Sequence, residues 1–217
     1  MGILVQGSWR DEELPTETDS VGAFQRSESQ FRNRITADGT SGFKAEPGRY
    51  HLYVAYNCPW AHRVLIFRAV KKLEAAITVA YALPGIREQG WLFASHRQFS
   101  ECTPDTVNGF RHLHQAYTAS DPNYTGKVTV PTLWDTRTRQ IVNNESSEII
   151  RMLTTVNFGV SRATIRTLIQ HTCALKSTGS TSSCMPMSTT VSTGAVSRAL
   201  RLLTKRPMTP SSRRLTS

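Results

Sequence analysis

The segment from residue 49 to residue 83 limits the possible folds more than any other part of the sequence. After Arg49 it reads YHLYVAY, in which bulky and β-branched residues alternate as they do in a strand. The segment NCPWAHR then leads into VLIFRAVKKLE, a helical run, and AAITVAYAL at 75–83 predicts a second strand. A helix between two strands is a βαβ unit, whose strands lie parallel in one sheet. The sequence therefore predicts an α/β fold.

The predicted helix has a clear start and a clear apolar face. Pro59 fits the first helical turn, where its missing N–H removes no intrahelical hydrogen bond. Apolar residues recur after it at helical spacing, and we expect this stripe to face the core. The stripe comprises Val64, Ile66, Phe67, Val70 and Leu73.

Cys58 stands directly before this helix, at the turn between strand and helix. The nucleophilic form of cysteine is the thiolate, and unpaired N–H groups at a helix start favour an anion. A buried structural cysteine is the commoner role for this residue type. An exposed turn at a helix start favours a reactive thiol instead, so we predict that Cys58 is a nucleophile.

The four cysteines, at 58, 102, 173 and 184, form no close pair such as C-x-x-C. This spacing fits free thiols in a reducing compartment better than a disulfide scaffold. No stretch approaches the roughly 18 apolar residues of a membrane span, and the N-terminus has no apolar core typical of a signal peptide. The cysteines and histidines show no metal-ligand spacing. We therefore expect a soluble, cytoplasmic protein with no metal and no membrane partner.

A long insertion separates this unit from the rest of the predicted domain. Residues 84–126 contain Gly, Pro, Asp and several aromatic residues, and their pattern predicts no definite structure. The following KVTVPTLWD predicts a strand in which Pro131 requires an edge, a bulge or a cis peptide bond. Residues 136–153 predict a turn, a strand and an N-capped helix. By themselves, Glu145 and Ser146 at that helix start are as typical of a capping device as of a ligand site.

The two ends of the chain differ in composition. Residues 1–48 are polar with scattered aromatic residues, and they predict an extended arm packed on a larger body. The formal net charge is +10, and residues 159–217 contain 9 Lys and Arg but no Asp or Glu. These last residues also contain 22 Ser and Thr and no Phe, Tyr or Trp, so they offer no stacking surface for bases. We therefore predict a disordered tail and no nucleic-acid partner.

Four stretches of the sequence together resemble one enzyme family, the glutathionyl-hydroquinone reductases, which are the Xi class of glutathione transferases. The stretches are G-R-Y-H-L-Y-V-A-Y-N-C-P-W-A-H-R, the pair Gly90-Trp91, Y-T-G-K-V-T-V-P-T-L-W-D at 124–135, and I-V-N-N-E-S-S-E-I-I-R-M at 141–152. The resemblance covers about two-thirds of the chain. It implies a thioredoxin-like glutathione transferase N-terminal domain at 49–157, preceded by an N-terminal arm.

The resemblance implies where glutathione binds. Cys58 would be the nucleophile, and Trp91 would cover the tripeptide. The backbone of Val130, before a cis Pro131, would pair with the cysteinyl portion of glutathione. This part of the site would be lined by Lys127, Val128, Thr129 and Val130.

The resemblance places the γ-glutamyl end of glutathione at Glu145 and Ser146. A helix start offers N–H groups to a carboxylate, Ser146 adds a hydroxyl, and Glu145 supplies a counter-charge for the ammonium. His62 follows Cys58 by one helical turn, which also suggests an acid or base. A solvated surface histidine is the commoner arrangement, because no third residue is evident to orient His62.

The tail departs from the family pattern. Members continue into a large all-α domain with a motif close to N-N-G-V-Y-R-x-G-F-A, whose tyrosine serves as acid and base. This chain has T-T-V-S-T-G-A-V-S-R at 189–198, and one shift of reading frame can convert that stretch and K-S-T-G-S-T-S at 176–182 into family-like sequence. We therefore expect the all-α domain to be largely missing and residues 158–217 to be an out-of-frame tail.

The implied function is that of a glutathione-dependent thiol reductase or transferase. It would reduce glutathionyl-hydroquinones through a cysteine–glutathione mixed disulfide, with glutathione as co-substrate and quinone or hydroquinone thioethers as partners. Family members are expected to be homodimers. Two alternatives stay open, namely an Omega-type thiol transferase or dehydroascorbate reductase, and an inactive truncated product without the substrate domain.

Overall fold

The computed structural model describes residues 2–12, 28–83 and 88–159, all in one compact unit. The predicted tail lies outside these ranges, apart from residues 158 and 159. Within them, no helix is long and apolar enough to cross a membrane. The elements, in chain order, are β1 (Ile3–Val5), β2 (Ser8–Arg10), β3 (Ile35–Thr36), β4 (Phe43–Lys44), β5 (Tyr50–Ala55), α1 (Pro59–Val70), β6 (Ile77–Ala82), α2 (His114–Ser120), β7 (Gly126–Lys127), β8 (Thr132–Asp135), β9 (Gln140–Asn143) and α3 (Ser146–Thr155).

A four-stranded sheet in the order β6-β5-β8-β9 forms the centre of the fold. β5 and β6 run parallel and are joined by α1, as the βαβ pattern predicts. β8 pairs antiparallel with the other edge of β5, β9 pairs antiparallel with β8, and α3 follows. The two longer helices, α1 and α3, contact each other. A βαβ unit followed by a ββα unit on one mixed sheet confirms the predicted thioredoxin-like α/β domain.

β5 is buried along all six of its residues, which is more than its alternating sequence predicts. It lies between two partner strands, and the described part of the insertion, residues 88–126, adds a layer over its side chains. Phe93 from this insertion contacts Tyr53 with ring centroids 5.2 Å apart. Phe110 meets Trp134 of β8 edge-on at 5.7 Å. The insertion is therefore part of the hydrophobic core.

The apolar stripe predicted for α1 is wrong at Ile66. Ala61 and Val64 are buried, whereas 49% of Ile66 is exposed. Successive helical residues are about 100° apart, so Ile66 lies roughly 200° around the helix from Val64. The buried face of α1 therefore follows Ala61 and Val64.

The N-terminal arm joins the rest of the fold through strand pairing. β1 pairs antiparallel with β2 on one side and with β7 on the other, so residues far apart in sequence share one small sheet. Gly7 lies in the turn between β1 and β2 with a φ of +72°, and a Cβ there would come within 2.0 Å of the Pro122 carbonyl oxygen. The arm therefore packs directly against the segment that leads to Pro131.

His51 is a buried base on the central strand. His51 is 1% exposed, and its Nδ1 lies 2.7 Å from the Thr78 hydroxyl oxygen. Burial lowers the pKa of His51 to about 4, compared with about 6.5 in an unfolded chain. Burial also lowers the pKa of His112 and of His114. These histidines therefore make the fold sensitive to acid.

We expect acidification to destabilise the fold through His51. Between pH 6.5 and pH 4 the unfolded chain binds a proton at this residue and the folded chain does not, so unfolding is favoured as pH falls. His51 alone should lower the free energy of unfolding by about 2 kcal/mol between pH 6.5 and pH 5. Urea unfolding at several pH values measures this. His51→Gln should show a shallower pH dependence than the wild type; a wild-type slope in this variant would refute the assignment.

Candidate functional site

Cys58 is the N-cap residue of α1, and Pro59 occupies the first helical position. The Cys58 backbone is extended, with φ −94° and ψ 113°. Its N–H donates to the Ala55 carbonyl at 3.2 Å, and its carbonyl accepts from the His62 N–H at 2.9 Å. The side chain makes no capping hydrogen bond, and the residue is only partly buried. The thiol therefore stands at a helix start and is not sealed in the core.

The Cys58 thiol faces the segment before Pro131. Its Sγ donates to the Val130 carbonyl at 3.4 Å, and the peptide bond between Val130 and Pro131 is cis, as the family resemblance implies. Val130 and Pro131 are themselves buried. Among the described residues, none accepts a hydrogen bond from the Val130 N–H. The thiol and one backbone N–H and carbonyl pair thus converge at this point.

Three aromatic side chains hold the segment 127–131, which we call the braced loop. The Tyr124 hydroxyl donates to the Lys127 carbonyl at 3.1 Å, and the Trp91 indole N–H donates to the Val128 carbonyl at 3.1 Å. The Tyr117 hydroxyl lies 3.0 Å from the Thr129 carbonyl and accepts from the Thr129 N–H at 3.2 Å. Three consecutive carbonyls are therefore occupied by Tyr124, Trp91 and Tyr117, and the fourth, that of Val130, receives the thiol.

Glu145 is the N-cap residue of α3. Its Oε1 accepts from both the N–H and the hydroxyl of Ser147 at 3.1 Å, so it is the capping device that its position suggests. Ser146 is 2% exposed, and its hydroxyl oxygen has no hydrogen-bond partner among the described residues. The Asn144 amide donates to the Tyr117 hydroxyl at 3.1 Å. Tyr117 therefore ties the start of α3 to the braced loop.

The structure brings Cys58 and Val130 into contact, whereas Lys127 and Trp91 make other contacts in the fold. Cys58 meets Val130, and Val128 and Thr129 lie in the same braced loop. Lys127 also belongs to β7, where it pairs with Ile3 of the arm. Trp91 is 9% exposed, and its indole N–H donates to the Val128 carbonyl at 3.1 Å.

Sequence reasoning missed Tyr117 and Tyr124. Both lie in the insertion or directly at its end, for which no structure was predicted. The only available signal was an unusual number of aromatic residues in a segment rich in Gly, Pro and Asp. His62 lies on α1, one turn after Cys58. It is exposed, as expected for a solvated surface histidine.

Comparison with known proteins agrees with this geometry. Residues 57–156 match the family model described as the glutathione S-transferase N-terminal domain. The chain is similar to the glutathionyl-hydroquinone reductase PcpF of Sphingobium chlorophenolicum, with 51% identity over 153 residues that cover 70% of this chain and 46% of PcpF. The chain thus spans about half the length of the curated relatives it matches.

Two solved structures resemble the described fold. One is the Xi class glutathione transferase from Natrialba magadii, with 44% identity and a TM-score of 0.62 over 71% of this chain and 45% of that one. The other is the glutathione-bound structure of YqjG, a glutathione transferase homolog from Escherichia coli K-12, with 44% identity and a TM-score of 0.60 over 71% of this chain and 45% of that one. Residues 57–156 therefore match a glutathione S-transferase N-terminal domain, and the described fold is similar to that of Xi-class glutathione transferases.

Proposed function

We propose that this chain binds glutathione and uses Cys58 to reduce glutathionyl-hydroquinones. The observation that carries the proposal is the 3.4 Å contact between the Cys58 thiol and the Val130 carbonyl, at the start of α1. A cysteine thiolate is the nucleophile of thiol–disulfide chemistry, and Cys58 stands partly exposed at a helix start, where a substrate sulfur can approach it. The names of similar proteins support the substrate class, since one is a glutathionyl-hydroquinone reductase and another was solved with glutathione bound.

Glutathione would lie along a line from Cys58, past the braced loop, to the start of α3. The N–H and carbonyl of Val130 would pair with its cysteinyl portion. Glu145 would neutralise its ammonium, while Ser146 and the N–H groups of α3 would bind its γ-glutamyl carboxylate. Because the other loop carbonyls are already bonded to aromatic side chains, Val130 is the one position of the loop that is suited to this pairing.

The reaction would proceed in two exchanges of sulfur. The Cys58 thiolate attacks the sulfur of the substrate, forming an S–S bond while the carbon–sulfur bond breaks. The electron pair of that bond stays on the ring carbon, which takes up a proton, and hydroquinone leaves. A second glutathione thiolate then attacks the mixed disulfide, which releases glutathione disulfide and restores Cys58. Glutathione must be the resolving thiol, because N-C-P-W-A has no second cysteine.

Product analysis tests this function. The full chain is incubated with a glutathionyl-hydroquinone and free glutathione, and both products are quantified by chromatography. The proposal predicts hydroquinone and glutathione disulfide in equal amounts, at a rate that scales with protein concentration. Consumption of the substrate without release of hydroquinone, or no consumption above the protein-free rate, would contradict it.

A further expectation concerns the charge at the start of α3. Glu145→Gln keeps an oxygen that can cap Ser147 but removes the counter-charge for the ammonium, so glutathione should bind about 10- to 100-fold more weakly, the loss of one charge-assisted hydrogen bond. Titration calorimetry with S-methylglutathione measures this. The matched control is Glu148→Gln, which removes the same charge from the same helix where it pairs with Arg32. Equal losses of affinity in the two variants would show that the net charge of the helix matters and that Glu145 makes no specific contact with the ammonium.

A further inference from the structure

Tyr56 is the most exposed large hydrophobic residue among those described, at 59%, and it precedes Cys58 by two positions. Its ring nonetheless packs against another aromatic ring. It stacks on the ring of Tyr81 with centroids 4.4 Å apart and planes within 11° of parallel. One face of Tyr56 is therefore covered by Tyr81. We call these two residues the tyrosine pair.

Tyr81 gives the tyrosine pair a fixed base. It is partly buried on β6, where its N–H donates to the Thr103 hydroxyl at 2.8 Å and its carbonyl accepts from the Thr103 N–H at 2.9 Å. Thr103 belongs to the insertion, so the insertion supports this side of the nucleophile as well as the braced loop. A flat, supported aromatic surface next to a nucleophile is a geometry that suits stacking of another ring.

The strand order places the tyrosine pair and the braced loop on opposite sides of Cys58. Tyr81 pairs with Val54 in the parallel register of β5 and β6, and Tyr56 directly follows the end of β5. The Cys58 thiol instead points to Val130, which leads into β8 on the other edge of β5. Neighbouring strands lie about 4.8 Å apart, so both sides are within reach of one small molecule.

We propose that the tyrosine pair binds the aromatic ring of the thioether substrate and thereby selects aromatic conjugates of glutathione. This inference rests on the proposed function. A conjugate has two halves joined at one sulfur, and that sulfur must lie at Cys58 to react. If the peptide half extends past the braced loop to α3, the ring half leaves the sulfur on the side where Tyr56 is exposed.

The test compares the binding of two unreactive probes, S-methylglutathione and S-phenylglutathione, to the full chain by titration calorimetry. The wild type should prefer the phenyl compound. Tyr56→Ala should lose about 2- to 12-fold of this preference, the range expected for one aromatic stack, while its affinity for S-methylglutathione stays unchanged. Tyr56→Phe should retain the preference, because the ring and not the hydroxyl makes the contact.

Trp60→Leu is the matched control, since Trp60 is a second exposed aromatic residue, at 44%, and follows Cys58 by two positions. It lies about 200° around α1 from Cys58, and its ring stacks with Arg63 instead. This variant should keep the phenyl preference. If Tyr56→Ala also keeps it while S-methylglutathione binds normally, the inference alone is overturned. If no variant and no wild-type chain binds S-methylglutathione, the glutathione site is wrong and the inference fails with it.

Discussion

Replacing Cys58 with serine is expected to abolish reductase turnover, with a loss of a thousandfold or more. A serine hydroxyl stays protonated at neutral pH and cannot form a mixed disulfide, so neither sulfur exchange can occur. Binding should survive, because Glu145, Ser146 and the Val130 backbone are unchanged. The expected pattern is a kcat at the background rate, measured by hydroquinone release, with S-methylglutathione affinity close to that of the wild type.

Cys102→Ser is the matched control for this loss. Cys102 is fully buried, and its thiol donates to the Ala94 carbonyl at 3.4 Å. A serine there can make the same hydrogen bond, and no substrate reaches it. Turnover should therefore stay within about twofold of the wild type. A comparable loss of turnover in Cys58→Ser and Cys102→Ser would rule out Cys58 as the sole nucleophile.

Removing the Arg49 side chain is expected to cause the largest loss of stability. Arg49 is 8% exposed and bonds Asp135 through both Nε (2.9 Å) and Nη2 (2.6 Å). Asp135 is fully buried. Burial raises the pKa of Asp135, but hydrogen bonds from Arg49, Thr138 and the Arg137 N–H outweigh this effect and hold the pKa below its usual value. The pair joins the start of β5 to the end of β8, so it fixes the sheet that positions Cys58.

Arg49→Ala leaves the Asp135 carboxylate buried without its partner, and we expect the free energy of unfolding to fall by about 3–5 kcal/mol. That is a large share of the 5–15 kcal/mol of a typical domain. Urea unfolding followed by tryptophan fluorescence measures it. Arg137→Ala removes a largely exposed arginine, 68% by its side chain, from its ion pair with Glu46 and should cost less than about 1 kcal/mol. Similar losses for Arg49→Ala and Arg137→Ala would refute this account of the pair.

The sequence predicts the central elements of the fold because their signals are local. Alternation in YHLYVAY, a proline at the first helical position and a periodic run after it define β5, α1 and β6 without help from distant residues. The position of Cys58 at a helix start follows from the same local pattern. The start of α3 is also readable, since Glu145 has the residue type and position of an N-cap.

The rest of the site depends on contacts that no local pattern contains. Tyr117 reaches the braced loop from 12 residues away, and Trp91 reaches Val128 from 37. Nothing in the spacing of these aromatic residues indicates that their polar atoms bind consecutive carbonyls. Ile66 shows that local spacing can also mislead, because an apolar residue at approximately helical spacing can still face solvent. The predicted out-of-frame tail, residues 158–217, lies outside the described residues apart from residues 158 and 159.

The central claim is that Cys58 accepts the glutathionyl group from the substrate, and a single measurement of the first half-reaction tests it most directly. The full chain is mixed with a glutathionyl-hydroquinone in the absence of free glutathione, quenched with acid, digested without reductant and examined by peptide mass spectrometry, which distinguishes Cys58 from Cys102, Cys173 and Cys184. The account predicts one glutathionyl group on the Cys58 peptide, hydroquinone in equal amount, and removal of the group when glutathione is added. Release of hydroquinone with Cys58 unmodified, or modification at another cysteine with Cys58 still free, would contradict it.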